Sequence, residues 1–222
     1  MSPVTHFLLS WAIAEGTPAT TRRERLLITL GGIIPDLDGV GAVSDYLTKW
    51  FTDSPTHYFH EYHHVLGHNV LFAGIVTAAA FALVDKGKSA ARRAAIAGLV
   101  CLTFHLHLLC DVAGSKGPDG SQWPIPYLEP FSDAVQWTWS GQWELNAWPN
   151  LVLTGSLILF AGVFAVRRGY SFLEIFSKRL DAVVVHTLRQ RFAPQLLSAD
   201  ASEGPSAAAL SPEAEEPPAS TG

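Results

Sequence analysis

Eight of the chain's nine histidines precede residue 108: His6, His57, His60, His63, His64, His68, His105 and His107. Carboxylates accompany them. Asp36 and Asp38 stand in the run PDLD, and Asp111 follows His107 by four residues. Imidazole and carboxylate together suit zinc, manganese or iron. The four-residue spacing puts His107 and Asp111 on one helical face, where both can hold one ion. His105 lies roughly 200° round from His107 on the same helix, so one of these two histidines serves structure. Asp36 and Asp38 cannot both face an ion from a helix, but from an extended turn they can flank it. The plain alternative is a turn or a cap for the next helix.

The run HEYHHVLGH (60–68) contains His60-Glu61-x-x-His64. On a helix that spacing lets two histidines hold zinc while the glutamate activates water. A continuous helix here would also align His57, Glu61, His64 and His68 on one face, with His60 at its edge. Five residues in a histidine-rich patch match this pattern easily by chance. Histidines simply resting at a membrane interface are the competing reading.

The elements that must position these residues are apolar. Residues 69–84, 94–110 and 151–166 carry no Lys, Arg, Asp or Glu. Each is at the short end of the ~17–25 residues that span a bilayer as a helix. Two shorter runs, 3–14 and 25–35, read as tilted short spans or as half-helices inside the bundle. No secretory signal is expected, because Arg22, Arg23 and Arg25 follow the first run rather than precede it. Only 16% of residues are charged, against 48% hydrophobic, and mean hydropathy is +0.20. These values argue against a disordered chain. The formal charge of −5 owes five acids to the segment beyond residue 197, and without them the charges balance. No global field steers a polyanion, so no nucleic-acid partner is expected. Cys101 and Cys110 fall in one apolar run, too far apart on a helix to bridge.

The basic residues set an orientation. If every apolar run crosses with the N-terminus outside, segments 15–25, 85–93 and 167–222 lie inside and hold thirteen of the fifteen Lys and Arg. Lys49 and Lys116 remain outside, in loops 36–68 and 111–150 that carry ten acids. His6, PDLD, the 57–68 cluster and the 105–111 group then all reach the outer face, from four separate segments. Because that topology rests on Lys and Arg alone, the convergence independently supports a shared metal site. Residues 171–192 read as an amphipathic helix on the inner surface, and 194–222 as a disordered tail rich in Pro, Ala and Glu. Five of the seven tryptophans lie within 123–148, as an interfacial belt or as a lid over a headgroup or sugar.

THFLLS, GGIIPDLD, HHVLGHN and HLLCD, followed by a Gly-rich turn and WP, resemble the bacterial inner-membrane predicted metal-dependent hydrolases (the LexA-regulated membrane-bound hydrolase family). The resemblance covers about residues 3–130 and extends through the later span. It carries metal-site roles onto His6, Asp36, Asp38, His63, His68, His107 and Asp111. Where the family commonly has Arg and Ser, this chain has His64 and Asn69, so His63 and His64 both stay candidates. A remoter likeness is to the zinc-dependent phospholipases C and single-strand nucleases. Their three-zinc site needs a later histidine, and none lies between 107 and 186, which implies one or two ions here.

The expectation is an all-α, membrane-embedded bundle of three to five hydrophobic helices over residues 1–193, in the bacterial inner membrane. On its outer face one or two divalent ions, zinc first, would be held by His6, Asp36, Asp38, His63, His64, His68, His107 and Asp111. Asp38 or Glu61 would take a proton from water, and a lipid or phosphoester would be the substrate. The alternatives are a non-catalytic metal-binding protein with a sensor or envelope-stress role, and a soluble helical hydrolase whose apolar runs are core helices.

Overall fold

The computed structural model describes residues 1–18, 20–117 and 120–197. Of the expected tail over 194–222, residues 194–197 are helical and those from Ser198 onward lie outside the described residues. Helix α1 (Pro3–Gly16) starts at Ser2, whose hydroxyl accepts from the Thr5 amide. Helix α2 (Arg22–Gly31) has a reciprocal cap, Thr21 with Glu24, satisfying two amides that a helix start leaves orphaned. A 3-10 helix (Ile34–Val40) carries the chain past Pro35 into α3 (Gly41–Phe51) and the single turn α4 (Tyr58–Tyr62). Asn69 caps α5 (Val70–Leu83) and Ser89 caps α6 (Ala90–Gly114). A two-residue antiparallel ribbon, β1 (Ile125–Pro126) with β2 (Gln136–Trp137), precedes α7 (Trp148–Arg168). The chain turns at Gly169, φ +78°, then runs through a 3-10 helix (Phe172–Ile175) into α8 (Lys178–Phe192). The protein is all-α in the sense that matters here.

Helix α6 is the axis, with α2 and α5 packed along it. Ile28, Ala73, Val76, Ile96, Val100, Phe104 and Leu108 bury their side chains between these helices. A smaller core sets Leu8 and Trp11 of α1 against Ala161 of α7. Much apolar surface faces outward, including Leu151, Val152, Ile158, Leu159 and Val163 on α7. Lipid is the solvent for such a face, where exposure to water would be costly. Helices α6 and α7, of 25 and 21 residues, are long and apolar enough to cross a membrane; α2 joined to Ile34–Phe51 makes a third candidate, bent by 54°. This is a helical membrane protein, and the soluble-bundle expectation gives way to it.

Two expectations need adjusting. The run 69–84 forms a helix of only 14 residues, about 21 Å at 1.5 Å per residue and short of the hydrocarbon thickness. The segment 171–192 is not one helix. Asp181 accepts from the amide and hydroxyl of Ser171 at 2.7 and 2.6 Å, and this local competitor folds the start back. Helix α8 keeps Leu180, Val183 and Phe192 exposed while Val185 is buried. Cys101 and Cys110 are both free.

Candidate metal centre

Four elements meet at one end of the bundle: the start of α1, the end of α2 with its 3-10 extension, the loop 63–69, and the end of α6. Close backbone approach is required for this. A Cβ at Gly32 would overlap Ser10 Oγ, and one at Gly67 would overlap the Pro35 carbonyl oxygen. Asp111 is the centre. One carboxylate oxygen, Oδ2, lies 2.9 Å from His107 Nε2, 3.5 Å from His68 Nε2 and 3.9 Å from His64 Nε2. The other, Oδ1, lies 3.2 Å from His6 Nε2 and accepts from Ser115 Oγ at 2.7 Å. The amino group of Met1 also contacts Oδ1 and Ser115. Asp36 Oδ1 is 3.5 Å from His107 Nε2. His6 stacks on His107 with ring centroids 3.7 Å apart.

The outer nitrogens of the rings explain why the inner ones face inward. His107 Nδ1 donates to the Gly32 carbonyl at 2.8 Å, and His68 Nδ1 donates to Asp38 Oδ2 at 2.9 Å. Those bonds fix the tautomer and aim each Nε2 lone pair at the cluster, the second-sphere arrangement common to histidine metal sites. Yet the Nε2 atoms of His68 and His107 are only 3.1 Å apart. Two lone pairs at that distance, beside two carboxylates, require a cation or proton between them. Burial works to lower the His68 pKa, but its hydrogen bonds to Asp111 and Asp38 prevail and raise it to about 9. Burial drives His64 well below its ordinary value. Among the described residues, the Nδ1 atoms of His6 and His64 and Asp36 Oδ2 are buried without a hydrogen-bond partner. The donor set and its unmet demand for positive charge therefore fit a divalent ion. Asp36, His68, His107 and Asp111 offer ligand atoms all within 4.8 Å of one another, and so do His63, His64 and His68.

The structure brings His6, Asp36, His64, His68, His107 and Asp111 together, with His63 at the rim. It places the other two expected residues differently. Asp38 does not face the cluster as a ligand or as a free base. Both its oxygens are engaged, by His63 Nδ1 at 2.7 Å, His68 Nδ1 and the Gly67 amide at 2.8 Å. It orients the histidines. Glu61 is exposed on α4, and the continuous helix that a His-Glu-x-x-His site needs does not form. The helix stops at Tyr62, His63 is extended, and His64 adopts φ +70°. That left-handed conformation costs energy in a non-glycine residue, and it turns His64 inward at 1% exposure. His105 bonds to the Cys101 carbonyl and to Tyr127 Oη, both at 2.8 Å, away from the cluster.

Residues not singled out from the sequence complete the surroundings. Ser115 holds Asp111 from the next turn, and its four-residue spacing was a usable signal. Gln142 donates to the Asp111 carbonyl at 2.8 Å. Trp123 lies over His64 and His63, with ring centroids 4.6 and 5.1 Å away. A cavity of about 490 Å³ opens beside the cluster, lined among others by Phe59, His63, Trp123, Asp111 and Ser115. The tryptophan-rich segment is thus divided. Trp123 lines this cavity, Trp143 donates to Asn150 Oδ1 at 2.8 Å, and Trp148 is 74% exposed.

Fold and site together define a helical membrane protein with a buried histidine–aspartate cluster at one end of its bundle. Residues 1–185 match the family model described as YdjM inner membrane protein. The chain belongs to that family, which makes it a protein of the bacterial inner membrane and supports that part of the resemblance seen in its motifs. No match was found among curated proteins, and none among solved structures.

Proposed function

We propose that the protein is a membrane-bound metal-dependent hydrolase. The observation that carries this reading is the convergence of the His6, His64, His68 and His107 Nε2 atoms on the Asp111 carboxylate, with Asp36 beside it. These six residues, with His63 at the rim, would hold one or two divalent ions. Zinc is the first choice, and manganese and iron share its donor preferences. Such an ion supplies Lewis-acid activation of water and of an ester or phosphoryl oxygen. Asp38 and the Gly32 carbonyl keep the ligand rings oriented. Ser115 keeps Asp111 fixed. Trp123 and Phe59 line the cavity beside it.

The basic residues of 15–25, 85–93 and 167–191 lie in segments away from the cluster, and the positive-inside rule supports a site on the outer face and a cytoplasmic C-terminal tail. A site at that depth suits a lipid or lipid-linked phosphoester. Elemental analysis of detergent-purified protein tests the metal. The wild type should carry one or two ions per chain, and the His107→Ala/Asp111→Ala double variant none; full occupancy in that variant would reject the assignment. Hydrolysis of a phosphoester panel tests the reaction. A non-catalytic metal site is the second reading, favoured by the nearly complete burial of His6, His64, His68 and Asp111. A closed shell of protein ligands lacks the open position that catalysis needs, so water-exchange measurements on the loaded protein separate the two.

A further inference from the structure

The cavity beside Asp111 contains two charged groups that the metal site does not use. Lys116 and Glu144 both line it, with Asn146 next to Glu144. Their backbones are joined by a parallel bridge and by the Lys116 amide donating to the Trp143 carbonyl at 3.0 Å, so the two side chains start from fixed, adjacent points. Among the described residues, neither side chain has an ion-pair partner. Lys116 is half-buried, and in the outer loops it is one of two cations among ten acids. Phe59 and Trp123 add aromatic rings to the lining. With the Met1 ammonium held by Asp111 and Ser115, the Lys116 ammonium, the Glu144 carboxylate and the two aromatic rings are the complement of a ligand that bears both charges on a compact body.

We infer that this cavity binds a zwitterionic phosphate ester: the phosphate meets Lys116 next to the metal cluster, and an ammonium group of the same molecule meets Glu144 and the aromatic rings. At about 490 Å³ the cavity accepts such a headgroup with a glycerol-sized remainder. The inference rests on the hydrolase reading for what happens to the ligand, but not for its binding.

Binding to the detergent-purified full chain, read by calorimetry, tests it. The probes are phosphoethanolamine, inorganic phosphate and dihexanoyl phosphatidylethanolamine. Phosphoethanolamine should bind roughly tenfold or more tightly than inorganic phosphate. Glu144→Gln should erase that preference and leave phosphate affinity unchanged, and Lys116→Met should weaken both probes roughly tenfold or more. Equal affinity of the wild type for the two probes, or indifference to both substitutions, would overturn the inference. Tighter binding of the short-chain lipid identifies a lipid headgroup and equal binding a free ester, and either result upholds it. Metal content is measured on the same samples. Metal-free protein that keeps the Lys116 and Glu144 dependence sinks the hydrolase reading alone, whereas normal metal without that dependence sinks this inference alone.

Discussion

Asp38 shows how little a residue's type says about its task. From sequence it is a carboxylate beside another carboxylate, as eligible for a metal as Asp36. In the fold its two oxygens hold the Nδ1 atoms of His63 and His68, and Asp36 faces the cluster instead. Asp38→Asn keeps the shape but leaves only one good acceptor for two rings. Metal affinity should fall by about 10–100-fold, measured by competition with a chelator, while helicity is retained. Unchanged affinity would assign Asp38 no orienting role. Gly67 belongs to the same scale, since its amide binds Asp38 and no side chain fits against Pro35. Gly67→Ala should lower stability by about 1–3 kcal/mol and reduce metal content with it. Gly98→Ala, with nothing within 4 Å of the added carbon, should change neither property.

At the scale of elements, the junction of α6 and α7 holds the cavity in shape. Asn150 donates to the carbonyls of Gly114 and Leu145, both at 2.8 Å, and accepts from Trp143 Nε1. One side chain thus ties the end of the helix bearing His107 and Asp111 to the start of the next. Asn150→Ala would leave these buried groups unpaired, at about 1–3 kcal/mol for each one not rescued by water. A drop in thermal midpoint together with weakened metal binding is expected, and a variant that melts like the wild type would refute the coupling. The helix ends were legible in the sequence because their chemistry is local: Thr21 with Glu24, Asn69 and Ser89 all cap as their types suggest. The break after Tyr62 was not legible. No proline or glycine marks it, and the left-handed His64 is stabilised by packing against distant residues such as Trp123.

For the whole molecule, the charge asymmetry and the family agree on an inner-membrane protein, and the geometry adds that metal-type residues and arginines occupy opposite ends. Orientation can be tested directly. In a background lacking Cys101 and Cys110, an impermeant maleimide applied to intact spheroplasts should label Asp133→Cys and spare Lys86→Cys, two exposed positions at opposite ends. The reverse pattern would place the site in the cytoplasm.

The sequence alone determined the properties that depend on composition and near neighbours. Apolar runs without charge demand lipid or a core, Lys and Arg concentrate in a few segments between them, and the four-residue step from His107 to Asp111 fixes one face of one helix. The tertiary structure decided which of the remaining histidines and aspartates face the cluster around Asp111. That choice depends on which ring nitrogen is occupied from behind, by Asp38 for His68 and by the Gly32 carbonyl for His107. Those partners lie 30 and 75 residues away along the chain. Spacing rules reach only one or two helical turns, and an irregular loop such as 63–69 has no period from which a facing direction can be read.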